Sequence, residues 1–118
     1  MFPLISLSTL FLLSIFGHGH RIRIEYCTKC KWVLRANWLQ CELLSTFEDD
    51  LKEVSMAPIK DPSGTFRVVL DDKVVLWDRT KEETKGFPEA KILKQIVRDI
   101  VNPVKSLGHS DVKIVDIT

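Results

Sequence analysis

Two cysteines three positions apart, in Tyr26-Cys27-Thr28-Lys29-Cys30-Lys31, divide an alternating run from a long amphipathic one, and that junction limits the folds open to this chain. Residues 21–26 read Arg-Ile-Arg-Ile-Glu-Tyr, which puts Ile22, Ile24 and Tyr26 on one face with the period of a strand. From Trp32 on, the apolar residues Trp32, Ala36, Leu39, Leu43, Phe47 and Leu51 recur at three- and four-residue steps. Val33 and Leu44 widen the stripe, as in a helix laid on a sheet. The spacing predicts a helix over residues 31–47 that stops near Glu48-Asp49-Asp50, whose charges oppose a helix C-terminus. Cys27 is then expected at or just before the helix N-terminus and Cys30 in its first turn. Free backbone N–H groups and the positive end of the macrodipole favour an anion there, and the thiolate is the nucleophile of thiol chemistry. Lys29 and Lys31 add positive charge, while Glu25 points back along the strand. A strand, a Cys-x-x-Cys turn and a helix in that order read as a redox-active dithiol.

The rest of the chain supplies a sheet for that turn to sit on. Residues 53–58 read as a short strand closed by Pro58, followed by a loop with Pro62, Ser63 and Gly64. Residues 65–70 alternate again, and after Asp71-Asp72 the chain returns over residues 74–77, a β-hairpin without the usual Asn-Gly or Asp-Gly turn. Residues 79–85 form a run of mixed charge, expected to be a solvated loop. Gly86-Phe87-Pro88-Glu89 opens a second helix, with Pro88 in the first turn, an apolar face of Ile92, Leu93, Ile96, Val97, Ile100 and Val101, and Pro103 as its end. The tail, residues 104–118, carries a weak strand pattern over residues 112–117. The order is β-α-β-β-β-α: an α/β domain with a mixed four-stranded sheet, its first two strands parallel through a right-handed crossover and its hairpin antiparallel.

Residues 1–20 stand apart from this domain over residues 21–103. Residues 2–16 are apolar or small and uncharged, short of the ~20 residues of a membrane span but matching the core of a secretory signal. No Lys or Arg precedes them, so two expectations stand side by side: a signal or anchor, or a non-native extension. The first implies the secretory pathway, with a membrane partner only if the segment is retained as an anchor. The second implies a cytoplasmic protein with reduced thiols. Lys plus Arg number 17 against 16 acidic residues, and no basic–aromatic stripe or glycine-rich phosphate loop occurs, so nucleic acid is not an expected partner. Three cysteines, an odd number, argue against a purely structural disulfide framework.

Residues 21–30, Trp32-Val33-Leu34-Arg35-Ala36, Leu76-Trp77-Asp78-Arg79, Gly86-Phe87-Pro88 and Val97-Arg98-Asp99-Ile100 together resemble the Rdx family, the selenoprotein W-like, thioredoxin-like proteins. The resemblance spans about residues 21–111. It implies a thioredoxin-like fold and a thiol-linked redox role in cell redox homeostasis, with glutathione as co-substrate and no tightly bound cofactor or metal. The family's selenocysteine position falls on Cys30, which makes this a cysteine version. The Trp-Cys-Gly-Pro-Cys motif of thioredoxins is absent, and no proline is assigned here as a cis-proline beside the motif.

Three chemistries are carried forward. In the first, Cys27 and Cys30 form a reversible disulfide linked to small thiols, thiol proteins or peroxide, in a monomer. Helix-end geometry favours Cys27 as attacker, whereas the selenium position favours Cys30. In the second, the two cysteines hold zinc with His18 and His20, although that spacing matches no usual finger. In the third, the domain is a non-catalytic, redox-sensitive interaction module that docks through Leu34, Trp38 and Cys41. The competing expectation is that the helix is sandwiched and buries these residues. Cys41 lies eleven residues past Cys30, ~16 Å by helical rise, against a limit of ~7 Å between Cα atoms of a disulfide. It is therefore expected to be a packed thiol, or else an independent site for a glutathione cap. His109 is expected to be solvated, and the Asp49-Asp50 and Asp71-Asp72 pairs to serve turns.

Overall fold

The computed structural model describes residues 19–81 and 86–111. The expectations for residues 1–18, for the strand pattern of residues 112–117 and for part of the charged run fall outside those residues. Strand β1 (His20–Cys27) is followed by helix α1 (Val33–Thr46), strands β2 (Leu51–Ile59), β3 (Phe66–Leu70) and β4 (Val74–Asp78), and helix α2 (Ala90–Val101). A short 3-10 turn covers Gly108–Ser110. The sheet order is β2-β1-β3-β4, with β1 parallel to β2 and antiparallel to β3, and β3 antiparallel to β4. This is the β-α-β-β-β-α arrangement with the mixed sheet that the periodicity predicts.

Both helices lie on one face. Ile22, Ile24, Phe66, Val68 and Leu70 from the sheet, Ala36, Leu39, Leu43 and Phe47 from α1, and Leu93 and Val97 from α2 form a single buried cluster. The opposite face is charged. There Arg23 bonds Glu25 at 3.0 Å and also pairs with Asp72, while Arg67 lies 3.5 Å from Glu25. Because α1 is covered on one side only, the sandwiched-helix expectation fails. Val33, Leu34, Trp38 and Leu44 are exposed, Leu34 by 78%, and Cys41 is exposed rather than packed. Ile92 and Ile100 of α2 likewise face outward. Among the described residues no helix is long and apolar enough to cross a membrane.

Three boundaries differ from the periodicity. Leu51 belongs to β2, because α1 stops at Thr46 and a turn through Asp50 lets the backbone N–H groups of Asp50 and Leu51 bond the Phe47 carbonyl. Strand β2 runs through Pro58 to Ile59, since β2 is an edge strand and an edge tolerates the missing N–H. Pro88 precedes the cap residue Glu89 and is not in the first turn of α2. The hairpin closes through Asp71 and Asp72, both left-handed at φ 53° and 59°. Aspartate tolerates that region better than most residues. Here Asp71 also accepts from the Arg21 N–H at 2.9 Å and lies 2.6 Å from His20 Nδ1.

Candidate functional site

Cys27 is the last residue of β1, and the turn Thr28–Lys31 follows before the helix opens at Val33. The Thr28 N–H donates to the Ile59 carbonyl at 3.1 Å, which ties the turn to the end of β2. The Lys31 N–H donates back to the Thr28 carbonyl at 3.1 Å, and Trp32 to the Cys27 carbonyl at 3.5 Å. Lys31 is left-handed at φ 63°, so the chain reverses direction before any helical residue. Cys30 is therefore in a closed turn ahead of the helix, not in its first turn as the spacing predicts.

The two sulfurs are free thiols 2.7 Å apart, with the Cys30 thiol donating to Cys27 Sγ. Cys27 is fully buried and Cys30 partly exposed. The Ser63 hydroxyl lies 3.7 Å from Cys27 Sγ and 3.8 Å from Cys30 Sγ. Burial pushes the Cys27 thiol up, but hydrogen bonds outweigh it: from the Cys30 side chain, the Gly64 backbone, the Ser63 hydroxyl and the Cys30 backbone. The outcome is a pKa lowered to about 6. Lys29 and Lys31 are exposed and take no part in that shift, so directed hydrogen bonds replace the charge and dipole effects expected from sequence. The loop that delivers Ser63 and Gly64 carries a cis Asp61–Pro62 bond, so a cis-proline does stand beside the motif. Gly64, at φ 87°, occupies a region that disfavours a Cβ.

An aromatic wall begins at Trp32, two residues past Cys30. The Trp32 and Phe87 rings meet edge to face at 4.7 Å, and Phe66 lies 5.0 Å from Phe87. The Trp77 indole N–H donates to the Gly86 carbonyl at 3.0 Å and holds the segment carrying Phe87. Two guanidinium groups cover this wall, Arg35 at 4.0 Å from the Phe87 centroid and Arg79 at 4.9 Å from that of Trp32.

The remaining candidates lie elsewhere. His20 starts β1, at the opposite end from Cys27, and is held by Asp71. It cannot complete a zinc site with Cys27 and Cys30, and His18 is outside the described residues. No group of three or more His, Cys, Asp or Glu suited to a metal occurs among the described residues. His109 is exposed. Ser63, Gly64, Arg35, Arg79 and Phe87 are the site neighbours that residue-level reading missed. Arg35, Arg79 and Phe87 had a signal, because they lie in the segments that carry the family resemblance. Ser63 and Gly64 had none beyond turn composition.

The profile of the Rdx family matches residues 21–99, from the first residues of β1 into α2. This chain belongs to the Rdx family. A crystal structure of a selenoprotein W-related protein from Vibrio cholerae superposes with a TM-score of 0.64 at 39% identity, covering 72% of this chain and all (100%) of that one. A crystal structure of a Bordetella parapertussis protein is 52% identical, with a TM-score of 0.61 over 70% of this chain and 98% of that one. The bovine (Bos taurus) protein named migration and invasion enhancer 1 is 29% identical over 96 residues, 80% of this chain and 77% of that protein. The Rdx protein described here accordingly has a selenoprotein W-like, thioredoxin-like fold and a redox-related role.

Proposed function

We propose that this Rdx protein is a thiol–disulfide oxidoreductase in which Cys30 attacks and Cys27 resolves, drawing on glutathione or peroxide and serving cell redox homeostasis. The observation that carries this reading is the 2.7 Å sulfur pair, with Cys27 enclosed below and Cys30 reachable from solvent. Cys27 carries the lowered pKa of about 6 and accepts a hydrogen bond from the Cys30 thiol. Cys27 thiolate, 2.7 Å away, takes the Cys30 proton as Cys30 attacks.

In the disulfide reaction, Cys30 thiolate displaces one thiolate from the substrate and forms a mixed disulfide. Cys27 thiolate then attacks Cys30 Sγ, and the second substrate thiolate leaves. The dithiol loses two electrons, the substrate gains two, and the departing thiolates take up the two protons. With peroxide, Cys30 thiolate attacks one oxygen, the O–O bond breaks and the other oxygen leaves as hydroxide or alkoxide. Cys27 thiolate then displaces hydroxide from the Cys30 sulfenic acid to close the disulfide, and the two thiol protons neutralise the departing groups. Cys30 is also the selenium position of the resemblance, which agrees with its role as the exposed nucleophile. The test is to trap the mixed species with glutathione disulfide in Cys27→Ser and in Cys30→Ser. Accumulation of an adduct on Cys30 in the first variant, with much slower capture by Cys27 in the second, supports the order. The reverse pattern overturns it.

A second reading rests on the uncovered face of α1, where Leu34 and Trp38 are exposed by 78% and 51%. A redox-sensitive interaction module would dock there. Trp38→Ala would then abolish partner capture and leave titration of the dithiol intact.

A further inference from the structure

We propose that Arg79 is a specificity-determining residue of the dithiol site, binding a carboxylate on the incoming thiol or disulfide. The proposal rests on the dithiol reading above and names the substrate chemistry that reading leaves open.

Arg79 stands at the end of the sheet where the thiols are. Its backbone N–H donates to the Phe66 carbonyl at 2.9 Å, and Phe66 pairs with Tyr26, the residue before Cys27. Its guanidinium lies 4.9 Å from the Trp32 ring centroid and 5.6 Å from that of Phe87. A Cβ built on Gly64 would be 3.9 Å from Arg79 Nη1, and the Gly64 backbone is one of the groups that bonds Cys27. The cation is thus next to the residue that touches the sulfur. It is not among the causes of the lowered thiol pKa, so its charge is not spent on Cys27.

Among the described residues Arg79 also lacks a partner that comparable groups have. Three buried side-chain polar atoms make no hydrogen bond among the described residues: Asp50 Oδ2, Arg67 Nε and Arg79 Nε. Asp50 nonetheless has Lys105 at 3.3 Å, and Arg67 has Glu25 at 3.5 Å and Asp78 at 4.0 Å. No carboxylate among the described residues pairs with Arg79. The Nε is covered by the protein, so an incoming carboxylate would meet the terminal Nη groups, which offer a charge-assisted contact. Stacking on Trp32 orients the guanidinium and leaves its in-plane N–H groups to a ligand. Arg35, whose guanidinium stacks on Phe87, is an exposed residue and is the weaker candidate.

The experiment compares oxidation of the reduced full-length chain by two small disulfides, bis(2-carboxyethyl) disulfide and bis(2-hydroxyethyl) disulfide. Each rate is divided by that of dithiothreitol with the same reagent, which removes intrinsic leaving-group differences. The expected normalised preference for the acidic disulfide is about tenfold, the scale of one charge-assisted hydrogen bond. In Arg79→Gln the ratio falls to near unity, and in Arg79→Lys, a point charge without the fork, it is intermediate. A wild-type ratio near unity overturns the proposal, as does a ratio unaltered in Arg79→Gln or lost in Arg35→Gln instead. If neither disulfide oxidises the pair, the dithiol reading fails, and binding of S-methylglutathione decides the carboxylate site separately. That thioether cannot exchange. Shifts of the Arg79 Nε–H and Trp32 indole NMR signals support the site, and their absence overturns it.

Discussion

At the scale of single residues, the reactive state of this site is set by hydrogen bonds to a sulfur rather than by a helix end. Ser63→Ala removes one of the four bonds that bring Cys27 down to about 6, so its pKa should rise. Titration of the thiolate ultraviolet absorbance in the reduced variant checks this, and an unchanged midpoint would show that the hydroxyl contributes nothing. The same shift fixes a stability dependence. The folded pKa is about 6 against an ordinary 9.0, so between those values the unfolded chain holds a proton that the native one has released. Stability of the reduced protein should therefore climb as pH rises from 6 toward 9, and lose that contribution as pH falls through 6. Thermal unfolding of the reduced chain against Cys27→Ser across this range isolates the effect, because the variant lacks the titrating thiol. The sequence showed the two cysteines plainly. It did not show Ser63, which is 33 residues from Cys30 and reaches the sulfurs only through tertiary structure.

At the scale of elements, turns decide where the site points. Lys31 and Asp71-Asp72 all adopt left-handed backbone at φ 53–63°, and none of them is a glycine. That is why periodicity alone extends the helix back over the turn after Cys30, and why the hairpin lacks its usual signature. Asp71 offsets its backbone cost by accepting from the Arg21 N–H and pairing with His20. Asp71→Ala loses both contacts, and we expect a destabilisation of about 1–2 kcal/mol in urea unfolding. A loss below measurement error would mean that the turn is held by strand pairing alone. Strand periodicity located β1, β3 and β4 closely. It shortened β2, because Pro58 reads as a terminator unless its strand is known to lie on the edge, and edge position follows from topology alone.

At the scale of the whole molecule, one covered face explains what helical periodicity could not resolve. A stripe containing Val33, Ala36, Leu39, Leu43 and Leu44 fits helices covered on one side or on two. The structure buries Ala36, Leu39 and Leu43 and leaves Val33 and Leu44 exposed. Leu39→Ala should cost about 2–5 kcal/mol, the range for truncating a buried leucine. Trp38→Ala, with its ring half in solvent, should cost far less, and equal losses in urea unfolding would show that α1 is packed on both sides. The two-layer build also brings Cys30 and Trp32, Ser63, Arg79 and Phe87 to the thiol end of the sheet from four separate segments. Family resemblance marked three of those segments, and only the fold brings Ser63 to them.

If Cys27 and Cys30 act as proposed, they interconvert between dithiol and disulfide. Intact-mass analysis of the full chain across a graded series of reduced and oxidised glutathione, with peptide mapping of the product, tests it most directly. The expected result is the loss of two hydrogens in a single reversible step, mapped to a Cys27–Cys30 bond and abolished by either serine substitution. A chain that keeps both thiols at every ratio, or takes up glutathione at Cys41 alone, would contradict it.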